Sequence, residues 1–129
     1  MEFNRLIPEL TVSDIEQSKD FYIGILGFTL EYERPQFAFI SLEGSQFMLE
    51  QFHKDGWNIG ELQYPFGRGI NFSIEVDDID TLYNKLLAVN HPLYRPMVTS
   101  TYEVNGQPTT QKEFLVQDPD GYLLRFTHE

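Results

Sequence analysis

The sequence contains no cysteine, which excludes disulfides and thiolate metal sites. It has no apolar run approaching the ~18 residues that a membrane-spanning helix needs, and no basic-then-apolar segment opens it. A cytoplasmic location away from the membrane is the expectation. Basic residues are scarce: nine Lys and Arg stand against twenty Asp and Glu, for a formal net charge of -11. That balance opposes nucleic-acid binding, which depends on neutralising phosphates, and it steers a cationic ligand toward the protein. There is no glycine-rich phosphate loop and no Gly-x-Ser-x-Gly nucleophile motif. The three histidines follow a strand (His53), sit in a helix-ending turn (His91) and lie at the terminus (His128). All three positions read as exposed or capping, not ligating.

What the chain does have is a core. Apolar residues make up 41% and aromatics 15% of its 129 residues, enough for one folded domain. Residues 6–12 read as a strand. Ser13 or Asp14 then caps a helix, with Glu16 or Gln17 completing a capping box. An apolar stripe through Ile15, Ser18, Tyr22 and Leu26 runs to Gly27. Strands follow at about 28–33, 37–42 and 46–52, the last two joined by a turn at Glu43-Gly44-Ser45.

A polar stretch, 53–68, reads as a linker, and then the order repeats. The spacing predicts a strand over 69–76, a helix over about 79–90 capped by Asp77 or Asp78, and strands near 93–104, 111–117 and 122–127. Val12-Ser13-Asp14-Ile15 recurs as Val76-Asp77-Asp78-Ile79, 64 residues later. The fold class is therefore α+β, two βαβββ modules in tandem within a single domain, 1–129. Module 1 covers about 5–52 and module 2 about 69–129.

Alternation assigns the faces. Phe72, Ile74 and Val76 share one face, and Asn71, Ser73 and Glu75 the other. Leu124 and Phe126 oppose Leu123, Arg125 and Thr127. On the polar faces large apolar groups intrude, such as Met48 and Phe52 flanking Glu50. That mixture suits the lining of a cleft.

The segments "LTVSDIEQSKDFYIGILGF", "FMLEQF", "INFSIEVDDID" and "FLVQDPDGYLLRF" resemble the vicinal oxygen chelate superfamily of glyoxalases, extradiol dioxygenases and antibiotic-resistance proteins. The resemblance spans about 6–127. It implies curved sheets enclosing a cleft that a second subunit completes, in a homodimer. It also implies four metal-ligand positions, which fall here on Ile7, Glu50, Asn71 and Arg125. Glu50 alone is a good donor for a divalent metal, and Arg125 places a cation there. No metal, no cofactor and no catalytic residue are expected. Glu50 and Arg125 would instead pair where relatives hold the metal. The Asp-Pro-Asp-Gly run at 118–121 reads as turn chemistry, since EF-hand spacing is missing.

Within the superfamily the chain looks most like bleomycin-resistance proteins, which implies a metal-free binder of a cationic, aromatic small molecule. The residues expected to line its site are Phe37, Phe39, Met48, Glu50, Phe52, Trp57, Tyr64, Asn71, Ser73, Tyr102 and Arg125. Phe66 adds a further flat surface, and Glu9 and Glu75 further negative charge. The alternatives are a binder of another small metabolite and, less favoured by the ligand positions, a metal-dependent lyase or dioxygenase.

Overall fold

Asp14 and Asp78 start the two helices by the same device. In the computed structural model, which describes all 129 residues, the Asp14 carboxylate accepts from the N–H groups of Glu16 and Gln17, at 3.0 and 3.2 Å. The Asp78 carboxylate accepts from the N–H and hydroxyl of Thr81, at 3.1 and 2.7 Å. Both satisfy donors that a first helical turn leaves without an internal acceptor. The Thr81 hydroxyl, then its N–H, hold the Asp78 carboxyl below the usual carboxylate range. Helix α1 spans Ile15–Lys19 and continues as a π-helical stretch, Asp20–Ile25, while α2 spans Ile79–Ala88. Asn90 takes a left-handed φ of 56°, so α2 ends before the expected residue 90. No helix is long and apolar enough to cross a membrane.

The chain forms two units, Met1–Phe66 with Asp118–Gly121, and Gly67–Gln117 with Tyr122–Glu129. The first holds β1 (Glu9–Val12), β2 (Thr29–Arg34), β3 (Phe37–Leu42) and β4 (Ser45–Gln51), in the order β1-β4-β3-β2. The second holds β5 (Asn71–Glu75), β6 (Arg95–Val104), β7 (Gln107–Gln117) and β8 (Leu123–His128), in the order β5-β8-β7-β6. In each sheet the first strand runs parallel to the last and the other pairs are antiparallel. The repeat is thus one strand topology used twice.

One face of each sheet is the core. In the first unit Leu10, Val12, Ala38, Ile40, Phe47 and Leu49 are buried, together with Tyr22, Leu26 and Phe28. In the second, Ile74, Phe114, Val116, Leu124 and Phe126 are buried, together with Ile79, Leu82 and Leu86 of α2. Burying each large side chain contributes about 1.5–3 kcal/mol.

Other boundaries also differ from the sequence reading. Strand β1 begins at Glu9 and not at residue 6, because Pro8 has no N–H to donate; its carbonyl accepts from Met48 N–H at 2.9 Å. Ile7 therefore lies outside the strand. Strand β7 begins at Gln107, four residues before its expected start, because Asn105 and Gly106 take φ of 53° and 78° and close a two-residue hairpin. Helix α1 carries only five α-helical residues before its hydrogen bonding changes.

The Asp-Pro-Asp-Gly turn is more than a turn. Asp118 and Asp120 are buried. Asp118 accepts from the Tyr22 hydroxyl at 2.7 Å and from Asp120 N–H at 2.9 Å. Asp120 accepts from both the N–H and the hydroxyl of Ser13. Gly121 has φ of 96°, and a Cβ there would stand 2.6 Å from the Pro65 Cα. A buried carboxylate needs such donors, since leaving it unbonded is expensive. Tyr22→Phe is expected to lower stability by about 1.5–3 kcal/mol, the scale of a hydrogen bond to a charged group. Urea unfolding measures it, and an unchanged midpoint would show that the bond carries no stability.

Candidate functional site

The open face of the first sheet is built from register. Thr11, Glu50, Phe37 and Arg34 are aligned across four strands in one row. Glu9, Met48, Phe39 and Tyr32 form the adjacent row. Paired residues share a face, so these two rows oppose the core. Glu9, Thr11, Arg34 and Glu50 line one wall of a cleft of about 310 Å³. Phe52, His53, Asp55, Trp57 and Asn58 line the other.

The segment that closes the cleft has no helix or strand, yet it is tethered. The Thr11 hydroxyl donates to Asn58 Oδ1 at 2.8 Å, and Gly56 N–H donates to the His53 carbonyl at 2.9 Å. Beyond Asn58 a second cleft of about 580 Å³ shares Phe52, Gly56 and Asn58 with the first and adds Lys54, Glu61, Leu62 and Phe66. Trp57 is 96% exposed and presents its whole ring. His53 Nε2 lies 3.4 Å from Glu50 Oε1, an ion pair whenever the imidazole is protonated.

Two aromatic residues expected to face a ligand are occupied by packing. Phe39 is 1% exposed, stacked on Tyr32 at 5.2 Å and edge-on to Phe3 at 5.3 Å. Phe37 is buried too, with the Arg34 guanidinium 3.8 Å above its ring. The cause is the aromatic cover that Phe3 and Tyr32 supply, which alternation within β3 does not reveal. Met48 is half-buried in the same row as Phe39, and Tyr64 is exposed in the segment after the cleft.

In the second unit Asn71, Ser73 and Glu75 are exposed on the open face. Ser73 stands beside Arg125, which stands beside Leu115. Arg125 Nη1 approaches Glu113 Oε2 at 4.0 Å. Arg125 Nε and Glu113 Oε2 are buried without a hydrogen-bond partner in the protein, so the pair is held by charge alone. The Tyr102 hydroxyl donates to Glu129 at 3.4 Å. Partial burial, then the Glu129 carboxylate, raise the Tyr102 phenol above its usual range, and Arg125 pulls the other way.

Within their own units, then, Glu50 lies beside His53 and Arg125 beside Glu113. Register also extends the correspondence between the modules. The 64-residue offset relates Glu9 to Ser73; these stand beside Met48 and Arg125 respectively. Arg125 is therefore the counterpart of Met48, and Thr127 of Glu50.

At the positions where the resemblance places metal ligands, only Glu50 carries a good donor for a divalent metal. Ile7 has no donor atom, Asn71 offers a neutral amide and Arg125 a permanent cation. The histidines lie elsewhere. His91 Nε2 is 3.2 Å from the Gln117 carbonyl, and His128 Nδ1 is 2.8 Å from the Val76 carbonyl. His128 is thus half-buried at a strand edge, where its terminal position suggested exposure.

Arg34, His53, Asp55 and Asn58 in the first unit, and Glu113 and Glu129 in the second, were not among the expected site residues. Arg34 carried a signal, since it shares alternation with Tyr32 at a strand end. The segment 53–58 has no periodicity, so nothing in it marked which side chains turn inward.

The profile of the Glyoxalase/Bleomycin resistance protein/Dioxygenase superfamily matches residues 4–126. A bleomycin resistance protein of Geobacillus stearothermophilus is 31% identical over 130 residues, covering 93% of this chain and 92% of that protein. A bleomycin resistance protein of Staphylococcus aureus matches to the same extent. Among solved structures, TioX from Micromonospora sp. ML1 has the same fold, with a TM-score of 0.75 at 18% identity over 98% of both chains. The chain belongs to the glyoxalase/bleomycin resistance protein/dioxygenase superfamily.

Proposed function

We propose that this protein is a non-catalytic, metal-free binder, cytoplasmic and homodimeric, that sequesters a cationic aromatic glycopeptide of the bleomycin type. The observation that carries the reading is the cleft of the first unit. Three carboxylates, Glu9, Glu50 and Asp55, surround it together with an almost fully exposed Trp57. Carboxylates attract a cation, and a bare indole offers a face for stacking a heteroaromatic ring.

The bleomycin resistance proteins that are 31% identical support the ligand class. The donor chemistry at Ile7, Asn71 and Arg125 supports a binder over a metal enzyme. Asn71, Ser73, Tyr102 and Arg125, on the open face of the second sheet, are proposed as ligand-binding residues that offer polar contacts. Tyr64 and Phe52 supply further aromatic surface.

Calorimetric titration with metal-free bleomycin is expected to give a dissociation constant at or below about 1 μM. Binding should weaken as salt rises from low to physiological concentration, because exposed charges are screened. No heat at micromolar protein would overturn the bleomycin assignment and leave a different small metabolite as ligand. One equivalent of zinc, nickel, iron or manganese per chain in the purified protein would overturn the metal-free reading.

Trp57→Ala is expected to weaken bleomycin about tenfold while leaving thermal stability unchanged, since an aromatic anchor carries a large share of binding energy. Unchanged affinity would remove Trp57 from the site.

A further inference from the structure

A cation-poor protein places an arginine in its most acidic cleft and gives it no carboxylate. Lys19, Lys112 and Arg125 each approach a carboxylate within 4.0 Å. Arg34 does not, although Glu9, Glu50 and Asp55 line the same cleft. Its guanidinium carbon lies over the Phe37 ring, 3.8 Å from the centroid, and 5.9 Å from that of Tyr32.

The backbone holds it there. Arg34 is the last residue of β2, beside Phe37 across a two-residue turn in which Gln36 takes φ of 61°. The Gln36 carbonyl is bonded to Gln51 N–H of β4 at 2.9 Å, so the turn is fixed to the sheet.

Stacking uses the face of a guanidinium and leaves its edge free. That edge carries five N–H donors in a planar fork and no acceptor. For a ligand that were only a cation, Arg34 would be repulsive and the site would be better without it. A carboxylate on the ligand would be attracted by Arg34 but opposed by Glu9, Glu50 and Asp55. A neutral planar acceptor, a carboxamide carbonyl, meets the fork without either penalty.

We propose that Arg34 is a specificity-determining residue that reads a carboxamide carbonyl of the ligand, next to the carboxylates that take its positive charge. This rests on the cationic-ligand reading for the neighbouring carboxylates, and its test separates the two.

The test begins with Arg34→Gln and metal-free bleomycin. Loss of a charge-assisted bond is expected to weaken binding about tenfold. Arg34→Lys, which keeps the charge but not the fork, should not restore it. Tighter binding in Arg34→Gln would show that Arg34 merely repels the cation and would overturn the proposal, as would full restoration by Lys.

Should the unaltered protein fail to bind bleomycin, the proposal is still decided by acetamide. The nuclear magnetic resonance signal of Arg34 Nε–H, identified by its disappearance in Arg34→Lys, should shift saturably with acetamide. Sodium acetate and methylammonium chloride should not shift it saturably. No saturable response to acetamide, or an equal response to acetate, would overturn the assignment.

Discussion

The four residues of the turn at Asp118–Gly121 tie together distant parts of the first unit. Asp120 spends both carboxylate oxygens on Ser13, the residue between β1 and the Asp14 helix cap. Asp118 takes the hydroxyl of Tyr22, which is itself fully buried among Phe21, Phe28 and Phe47. The Asp120 carbonyl accepts from Phe66 N–H at 2.8 Å, and Gly121 lies against Pro65 so closely that only glycine fits. One turn therefore fixes the end of β1 and the end of the segment that closes the cleft. Two buried carboxylates are tolerated because each is fully engaged by donors. Both walls of the cleft start from positions that these bonds set.

That role was hidden because the four residues are also good turn formers. Asp, Pro and Gly satisfy turn chemistry without reference to anything distant, and a sequence carries no mark of which donors will reach a carboxylate. The repeat, by contrast, was legible twice over. Val12-Ser13-Asp14-Ile15 and Val76-Asp77-Asp78-Ile79 carry the same cap beside the same strand end. Alternation in β5 and β8 then assigned the open face correctly, with Asn71, Ser73 and Glu75 exposed and Leu124 and Phe126 buried. Alternation has a period of two, so it fixes a face and leaves register open. Strand pairing supplies the register, and it relates Arg125 to Met48. The same limit applies to Phe37 and Phe39: their face was right, but the cover supplied by Tyr32, Phe3 and Arg34 comes from other elements.

The net charge of -11 acts at two ranges. At long range it steers cations and repels polyanions. At short range the ion pairs near the surface, Lys19–Glu33 at 2.8 Å and Lys112–Asp80 at 3.1 Å, add little stability because water screens them. The Glu33 carboxylate, hydrogen-bonded to the Lys19 ammonium, raises that group above the usual lysine range, a shift that partial burial opposes. Such pairs occupy carboxylates that would otherwise compete for a ligand. Glu9 and Asp55 in the cleft form no ion pair, and Glu50 has only His53, so most of the cleft's negative charge stays available to a partner.

Duplication followed by divergence explains why the two open faces carry different chemistry. A strict repeat would place like residues at like register, and a symmetric site would bind a symmetric group. Here Glu50 has Thr127 as its counterpart, and Arg125 has Met48. The first unit offers carboxylates, an indole and a stacked guanidinium. The second offers a hydroxyl at Ser73, a phenol bonded to Glu129, and a guanidinium whose Nε meets no acceptor. A metal site requires donor atoms that converge on a point, whereas a large ligand with unlike ends requires unlike surfaces. Corresponding register positions of the two sheets thus carry unlike side chains, Glu50 against Thr127 and Met48 against Arg125.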